Sequence, residues 1–217
     1  MDNGSSDKTP EYLLKFSLDH MDSMKFVTKD ENLGIVKGRN ELYRIVSGVS
    51  DGELFMFLDN DQMPRKGWLE DHLLVLNKGY DLVGVEAWKL DSKLYPIEKI
   101  KTLGYPFNYV GCGGMIIRKR VIDKIGLFDE RFSPAFFEDP DFCFRCVEAG
   151  FSIGWNYKAK ITHLEHVTLG KDIIGSSKAE LFLSSYTKFR EKWLGKPIPW
   201  RQQEFIPELS TRNRRRS

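Results

Sequence analysis

The sequence has no uninterrupted apolar run near the ~20 residues that a membrane-spanning helix requires. Its polar N-terminus carries no signal-peptide pattern, so a cytoplasmic protein is expected. Cysteine is scarce: Cys112, Cys143 and Cys146 make an odd number without framework spacing, which excludes a disulfide scaffold. An excess of charge of one sign is missing too. The 33 Lys and Arg against 31 Asp and Glu leave a net charge of +2, which points to no acidic or basic partner and gives no sign of nucleic acid. Internal repeats are absent, and a composition of 41% hydrophobic and 29% charged residues excludes collagen-like and disordered classes. One further absence is local. The opening "MDNGSSDKTPEYL" reads like a loop that follows a core strand, with Asp2, Asn3, Ser5 and Asp7 as turn and cap formers, yet only Met1 precedes it.

What is present is enough chain for one sizeable core, and a single domain over residues 1–195 is expected, followed by a tail over 196–217. Strands are predicted around Lys25 to Val27, from Leu54 to Leu58, in "YDLVGVEAW" and from Met115 to Arg118. The run from Leu54 to Leu58 does not alternate and so reads as buried on both faces. Helices are predicted from Pro10 through Phe16, from about Val36 to Val46, from Trp68 to Leu76, in a short segment ended by Gly126, and from Ser176 to Leu194. Lys89 to Tyr109 reads as an irregular loop with a short helical piece. Strand alternating with helix indicates an α/β domain with a mainly parallel sheet. In the tail, Arg212, Arg214, Arg215 and Arg216 form a basic cluster that is either a solvated end or a peripheral contact with an acidic membrane surface.

Three stretches offer chemistry. In "FMFLDNDQMP" an apolar strand stops at Asp59 and Asp61, which puts two carboxylates at the carboxyl edge of a sheet. They either hold a hard divalent cation that bridges phosphates or merely cap the turn. In "FEDPDFCFRCVEAGF", Glu138, Asp139 and Asp141 cluster where a helix begins, with Asp139 as N-cap and Pro140 as its first residue. One of these carboxylates acts as a general base, or the group is only a helix start. In "ITHLEHVTLG", His163 and His166 follow a short strand and are candidates to complete a metal site, or structural residues. Cys143 and Cys146 form a C-x-x-C. It lacks the second ligand pair of a zinc site and the strand-to-helix position of a redox motif, and reads as helix residues facing a core.

Taken in order, "DNGSSDKTPEYL", "NLGIVKGRN", "GELFMFLDND", "PRKGWLE", "GCGGMIIRKRVIDKIGLFDERF", "FEDPDFCFRCVEAGF" and "ITHLEHVTLG" resemble the inverting glycosyltransferases of family 2, over roughly residues 2 to 170. The resemblance implies a GT-A-like α/β sandwich. It implies Asp59 and Asp61 as the D-x-D that binds Mn²⁺ or Mg²⁺ and, through it, the donor diphosphate, and Asp139 as the base with Glu138 and Asp141 as orienting neighbours. His163 matches the late metal-site histidine, because Thr168 then falls on a small hydroxyl position, and His166 is the fallback. Asp2 matches the acidic residue that reaches the nucleotide base, and Gly34 and Asn40 fall in the nucleotide-pocket region. The implied activity is transfer of a sugar, with inversion, from a UDP-, GDP- or dTDP-sugar to a saccharide or other acceptor hydroxyl. The competing expectation is an inactive relative that serves as a binding or structural module. A nucleotidyltransferase is disfavoured because no glycine-rich basic N-terminal loop is present. Family members carry a strand and helix ahead of the "DNGSSD" loop. A homodimer, or a compensating C-terminal element, is therefore expected to cover the sheet edge left open.

Overall fold

The computed structural model describes residues 1–164 and 177–197. His166, Thr168 and the tail arginines Arg212, Arg214, Arg215 and Arg216 lie outside these described residues. The opening loop forms as its composition requires. The Asp2 carboxylate accepts the Ser5 N–H and the Thr28 hydroxyl, Asp7 accepts the Thr9 N–H, and α1 (Thr9–Asp19) follows with Pro10 in its first turn. No strand forms at Lys25 to Val27. Instead Asp2 and Thr28 make a single parallel bridge.

The central sheet has the order β1 (Leu54–Met56), β7 (Ile116–Arg118), β3 (Leu82–Gly84), β8 (Ile153–Trp155). β7 is antiparallel to both β1 and β3, and β3 is parallel to β8. Three of the four strands therefore run the same way, and the reversed β7 between them makes two of the three pairings antiparallel. Because successive side chains alternate in a strand, each sheet face has its own helices. Leu82, Ile117 and Ile153 join the large core that includes Val121 and Ile122 of α4 (Lys119–Ile125) and Phe142 and Phe144 of α5 (Glu138–Glu148). Val83 and Ile116 point the other way, to Val75 and Leu76 of α3 (Trp68–Leu76).

Two expectations in this region need correction. The segment from Leu54 to Leu58 is not buried on both faces: Leu54 and Leu58 are exposed, while Phe55 and Phe57 are buried, because β1 is an edge strand. Its apolar outer residues had hidden the alternation. No described C-terminal element lies along that edge. The helix α6 (Lys178–Trp193), closed by a Ser177–Glu180 capping box, packs its Phe182, Phe189 and Trp193 against α5 and residues 130–137. The stretch from Lys89 to Tyr109 is not an irregular loop. It supplies an antiparallel sheet of β5 (Pro96–Ile100), β4 (Ala87–Leu90) and β6 (Tyr109–Val110). The Asp91 side chain accepts the N–H groups of Lys93 and Tyr95, which closes the β4–β5 turn.

A third, two-stranded sheet pairs β2 (Gln62–Pro64) with β9 (Ile161–His163) in the register Gln62↔His163. Cys143 and Cys146 are buried in the core face of α5, as expected. Among the described residues no helix is long and apolar enough to cross a membrane.

Candidate active site

The chain leaves β1 at Phe57 and turns. The Asp59 N–H donates to the Gln62 side chain and the Gln62 N–H to the Asp59 carbonyl, so Asp59 and Asp61 sit on a tight loop ahead of β2. Antiparallel pairing with β9 then brings His163 to the same place, reinforced by the Leu164 N–H bonding to the Asp61 carbonyl. One ligand atom from each of Asp59, Asp61 and His163 lies within 4.8 Å of the others. The His163 Nε2 is 3.2 Å from Asp61 Oδ1, and its Nδ1 is 3.2 Å from Glu86 Oε1. A carboxylate behind an imidazole fixes ring orientation and tautomer, the usual support for a metal-binding histidine. Two carboxylates and an imidazole are a donor set that suits Mn²⁺ and tolerates Mg²⁺.

The second cluster lies on α5. Phe137 is its N-cap and no side chain caps it, so Asp139 is not the cap that its spacing predicts. Its Oδ2 instead accepts the Cys112 N–H at 3.0 Å, across the glycine-rich turn before β7. The two clusters are joined by Arg39 of α2 (Gly34–Ser47). It donates through Nη2 to Asp59 Oδ1 and Oδ2 at 3.0 and 3.2 Å, and through Nη1 to Glu138 Oε1 and Asp139 Oδ1, each at 3.3 Å. One always-protonated guanidinium thus bridges three carboxyl groups.

Burial separates the two acids. The Glu138 side chain is 7% exposed and that of Asp139 is 23%, so of these two cleft-lining acids Asp139 is the more accessible. Burial, helped by the neighbouring Asp139 charge, pushes the Glu138 carboxyl up to about 8, and its Oε2 has no hydrogen-bond partner. Burial also raises Asp139, against the pull of Arg39 and the Cys112 N–H. A cleft of about 250 Å³ contains Arg39, Asp59, Glu86, Asp139 and His163 on its wall. The turn beside it is tight: a Cβ on Gly113 would lie 2.5 Å from Asp59 Oδ2.

Four expected site residues are engaged elsewhere. Asp141 is fully buried on another side of α5, against Arg145 Nε, Lys192 Nζ and Trp193 Nε1 at 2.9, 2.7 and 2.8 Å. Asn40 is buried and bonds the Phe128 backbone on both sides, with its Nδ2 also donating to Glu130. Gly34, at φ 77°, lets the chain pass Pro134, whose Cβ would be 2.6 Å from an added Cβ. Asp2 holds its own loop, and none of these four lines the cleft. Sequence reasoning missed Arg39 and Glu86; the basic residue of "GRN" was the only trace of the former.

The family model for glycosyl transferase family 2 matches residues 1–145. The chain belongs to glycosyl transferase family 2. Two curated relatives, the pre-mycofactocin glycosyltransferases of Mycobacterium tuberculosis strains CDC 1551 / Oshkosh and ATCC 25618 / H37Rv, are each 30% identical over 138 residues. The match covers 54% of this chain and 28% of each relative. The match therefore spans a little under a third of the curated relatives' length. Among solved structures, a crystal structure of GalNAc-T7 with UDP, GalNAc and Mn²⁺ superposes with a TM-score of 0.66 at 13% identity, over 88% of this chain and 41% of that one. At that identity the likeness shows the fold, and the α/β arrangement of this family 2 chain is GT-A-like.

Proposed function

We propose that this family 2 chain is a metal-dependent glycosyltransferase that moves a sugar, with inversion, from a nucleoside-diphosphate sugar to an acceptor hydroxyl. The observation that carries the reading is Arg39, which ties Asp59 of a two-carboxylate, one-imidazole cluster to the half-buried Asp139 carboxylate on the wall of one cleft. Asp59, Asp61 and His163 would hold Mn²⁺ or Mg²⁺, which when bound offsets the charge of a diphosphate leaving group.

The rest falls to the chain's own groups. Asp139 takes the proton of the acceptor hydroxyl as its oxygen attacks the anomeric carbon. Its raised pKa makes it a stronger base than a solvated carboxylate. The Cys112 N–H and Arg39 fix the orientation of that carboxylate. Glu138, mostly protonated at neutral pH, keeps a second negative charge away from the attacking oxygen. Glu86 holds the His163 ring. A single displacement inverts the anomeric centre.

UDP-sugars are the first donors to try, since the GalNAc-T7 structure holds UDP; GDP- and dTDP-sugars complete the set. The test is release of nucleoside diphosphate from each donor with Mn²⁺ and a mixture of acceptors. Asp139→Asn is expected to lower release by about 10²- to 10⁴-fold, the usual contribution of a positioned base, while nucleotide affinity holds. Loss of both together would make Asp139 a structural residue. Nucleotide binding with no release from any donor would make the chain a binding module.

A further inference from the structure

Building on the glycosyltransferase reading, we infer that the acceptor presents its hydroxyl on a flat apolar body, an aryl alcohol in the simplest case, and that Trp88, Pro96, Phe136 and Phe182 form the wall it lies against. The cleft is lined by two kinds of group. Its wall carries Arg39, Asp59, Glu86, Glu138, Asp139 and His163 and, besides these polar groups, Trp88, Pro96, Tyr109, Phe136 and Phe182. A metal, a diphosphate and the base engage the charged groups, so the aromatic and apolar groups are left for the acceptor.

The chemistry of that wall is selective. Among the described residues lining the cleft there is no Ser, Thr, Asn or Gln, and the neutral side-chain oxygens are those of Tyr109 and of the protonated Glu138, both buried. A hydroxyl-rich saccharide acceptor would lose water from several polar groups and regain few hydrogen bonds, which disfavours it. A flat apolar ring has no such loss and gains ring contacts.

The wall is also built to stay in place. Trp88 stacks on Tyr109 with centroids 6.5 Å apart, and Phe136 and Tyr95 meet Phe182 edge-on at 5.6 and 5.7 Å. Phe136 and Phe137 both have positive φ, 75° and 66°, a conformation that bulky L-residues adopt only when their surroundings impose it. Here it sends Phe137 into the core against Phe189, leaves Phe136 half-buried at the cleft, and starts the helix that carries Asp139. Wall and base are therefore set by one stretch of backbone.

The test is calorimetric titration of the whole chain with 2-naphthol and, separately, with methyl β-glucopyranoside, both in the presence of UDP and Mn²⁺, whose own affinity is measured on the same samples. We expect 2-naphthol to bind tighter than the glucoside. Trp88→Ala and Phe136→Ala should each weaken naphthol by up to about tenfold, the scale of one lost aromatic contact. Trp88→Phe should restore most of it, and the affinity for UDP with Mn²⁺ should hold throughout. Tighter binding of the glucoside, or naphthol binding that neither alanine variant moves, overturns the inference. Failure of UDP to bind the native chain with Mn²⁺ overturns instead the donor-site reading beneath it, whatever naphthol does.

Discussion

Glu138 shows what a single buried carboxyl contributes. Its pKa of about 8 in the fold stands above the ordinary 4.5, so between these values the native state holds a proton that the unfolded chain has lost. Stability from this group is therefore present at low pH and declines as pH rises from about 4.5 through 8. Glu138→Gln keeps the shape and removes the titration. Denaturant unfolding of both proteins from pH 5 to 8.5 is expected to show the variant gaining on the native chain as pH rises. A constant difference would mean that Arg39 keeps Glu138 ionised. The role of Arg39 was not legible beforehand, because its carboxylate partners lie 20, 99 and 100 positions away. Asp59 and Asp61 were legible because one turn holds both. His163 follows from the resemblance alone; the β2–β9 register sets it beside Asp61, a closeness that sequence separation hides, and His166 lies outside the described residues.

At the scale of elements, the "EDPD" stretch looks like one cluster in sequence and is two in space. Positions two apart on a helix differ by about 200° in direction, so α5 turns Asp139 to the cleft and Asp141 to α6. Asp141 there meets two cations and the Trp193 indole with no exposed surface. Removing one member of such a buried set leaves the others desolvated and uncompensated, at a cost of about 3–5 kcal/mol. Asp141→Ala is expected to lose stability on that scale in urea unfolding, with the affinity for nucleotide and Mn²⁺ unchanged at temperatures where it remains folded. A small loss would mean that Lys192 and Arg145 find water, and lost nucleotide affinity would return Asp141 to the site. The same distinction explains which elements could be read. Helices α2, α3 and α6 follow from apolar period and end signals, and the core reading of Cys143 and Cys146 from their place in α5. The sheet from Ala87 to Val110 did not, because its short strands depend on cross-strand partners such as Trp88 and Tyr109 rather than on their own pattern.

On the scale of the whole molecule, the candidate metal site exists only when the fold does. Asp59 and Asp61 follow an edge strand, His163 arrives through a separate two-stranded sheet, and Arg39 and Asp139 come from helices α2 and α5. The unfolded chain has no comparable arrangement, so a ligand of this cleft binds the native state and must raise the melting temperature in proportion to the logarithm of its concentration over Kd. At ~100 Kd the gain is about 2.7 kcal/mol, and for a chain of this size each kcal/mol moves Tm by roughly 2–4 °C. A panel of UDP, GDP, dTDP and CDP, each with and without Mn²⁺, is expected to show one nucleotide that stabilises by several degrees only when metal is present. Arg39 sharpens this expectation. It bonds both Asp59 oxygens, so Mn²⁺ alone competes with it for Asp59, whereas a diphosphate supplies Arg39 with a new anion. Nucleotide and metal should therefore stabilise together by more than the sum of their separate effects. Asp61→Ala should abolish the metal-dependent increment, since Asp61 holds the imidazole edge of the cluster without touching Arg39. A nucleotide shift that ignores metal, or one that survives Asp61→Ala, would show that Asp59, Asp61 and His163 form an ordinary polar turn.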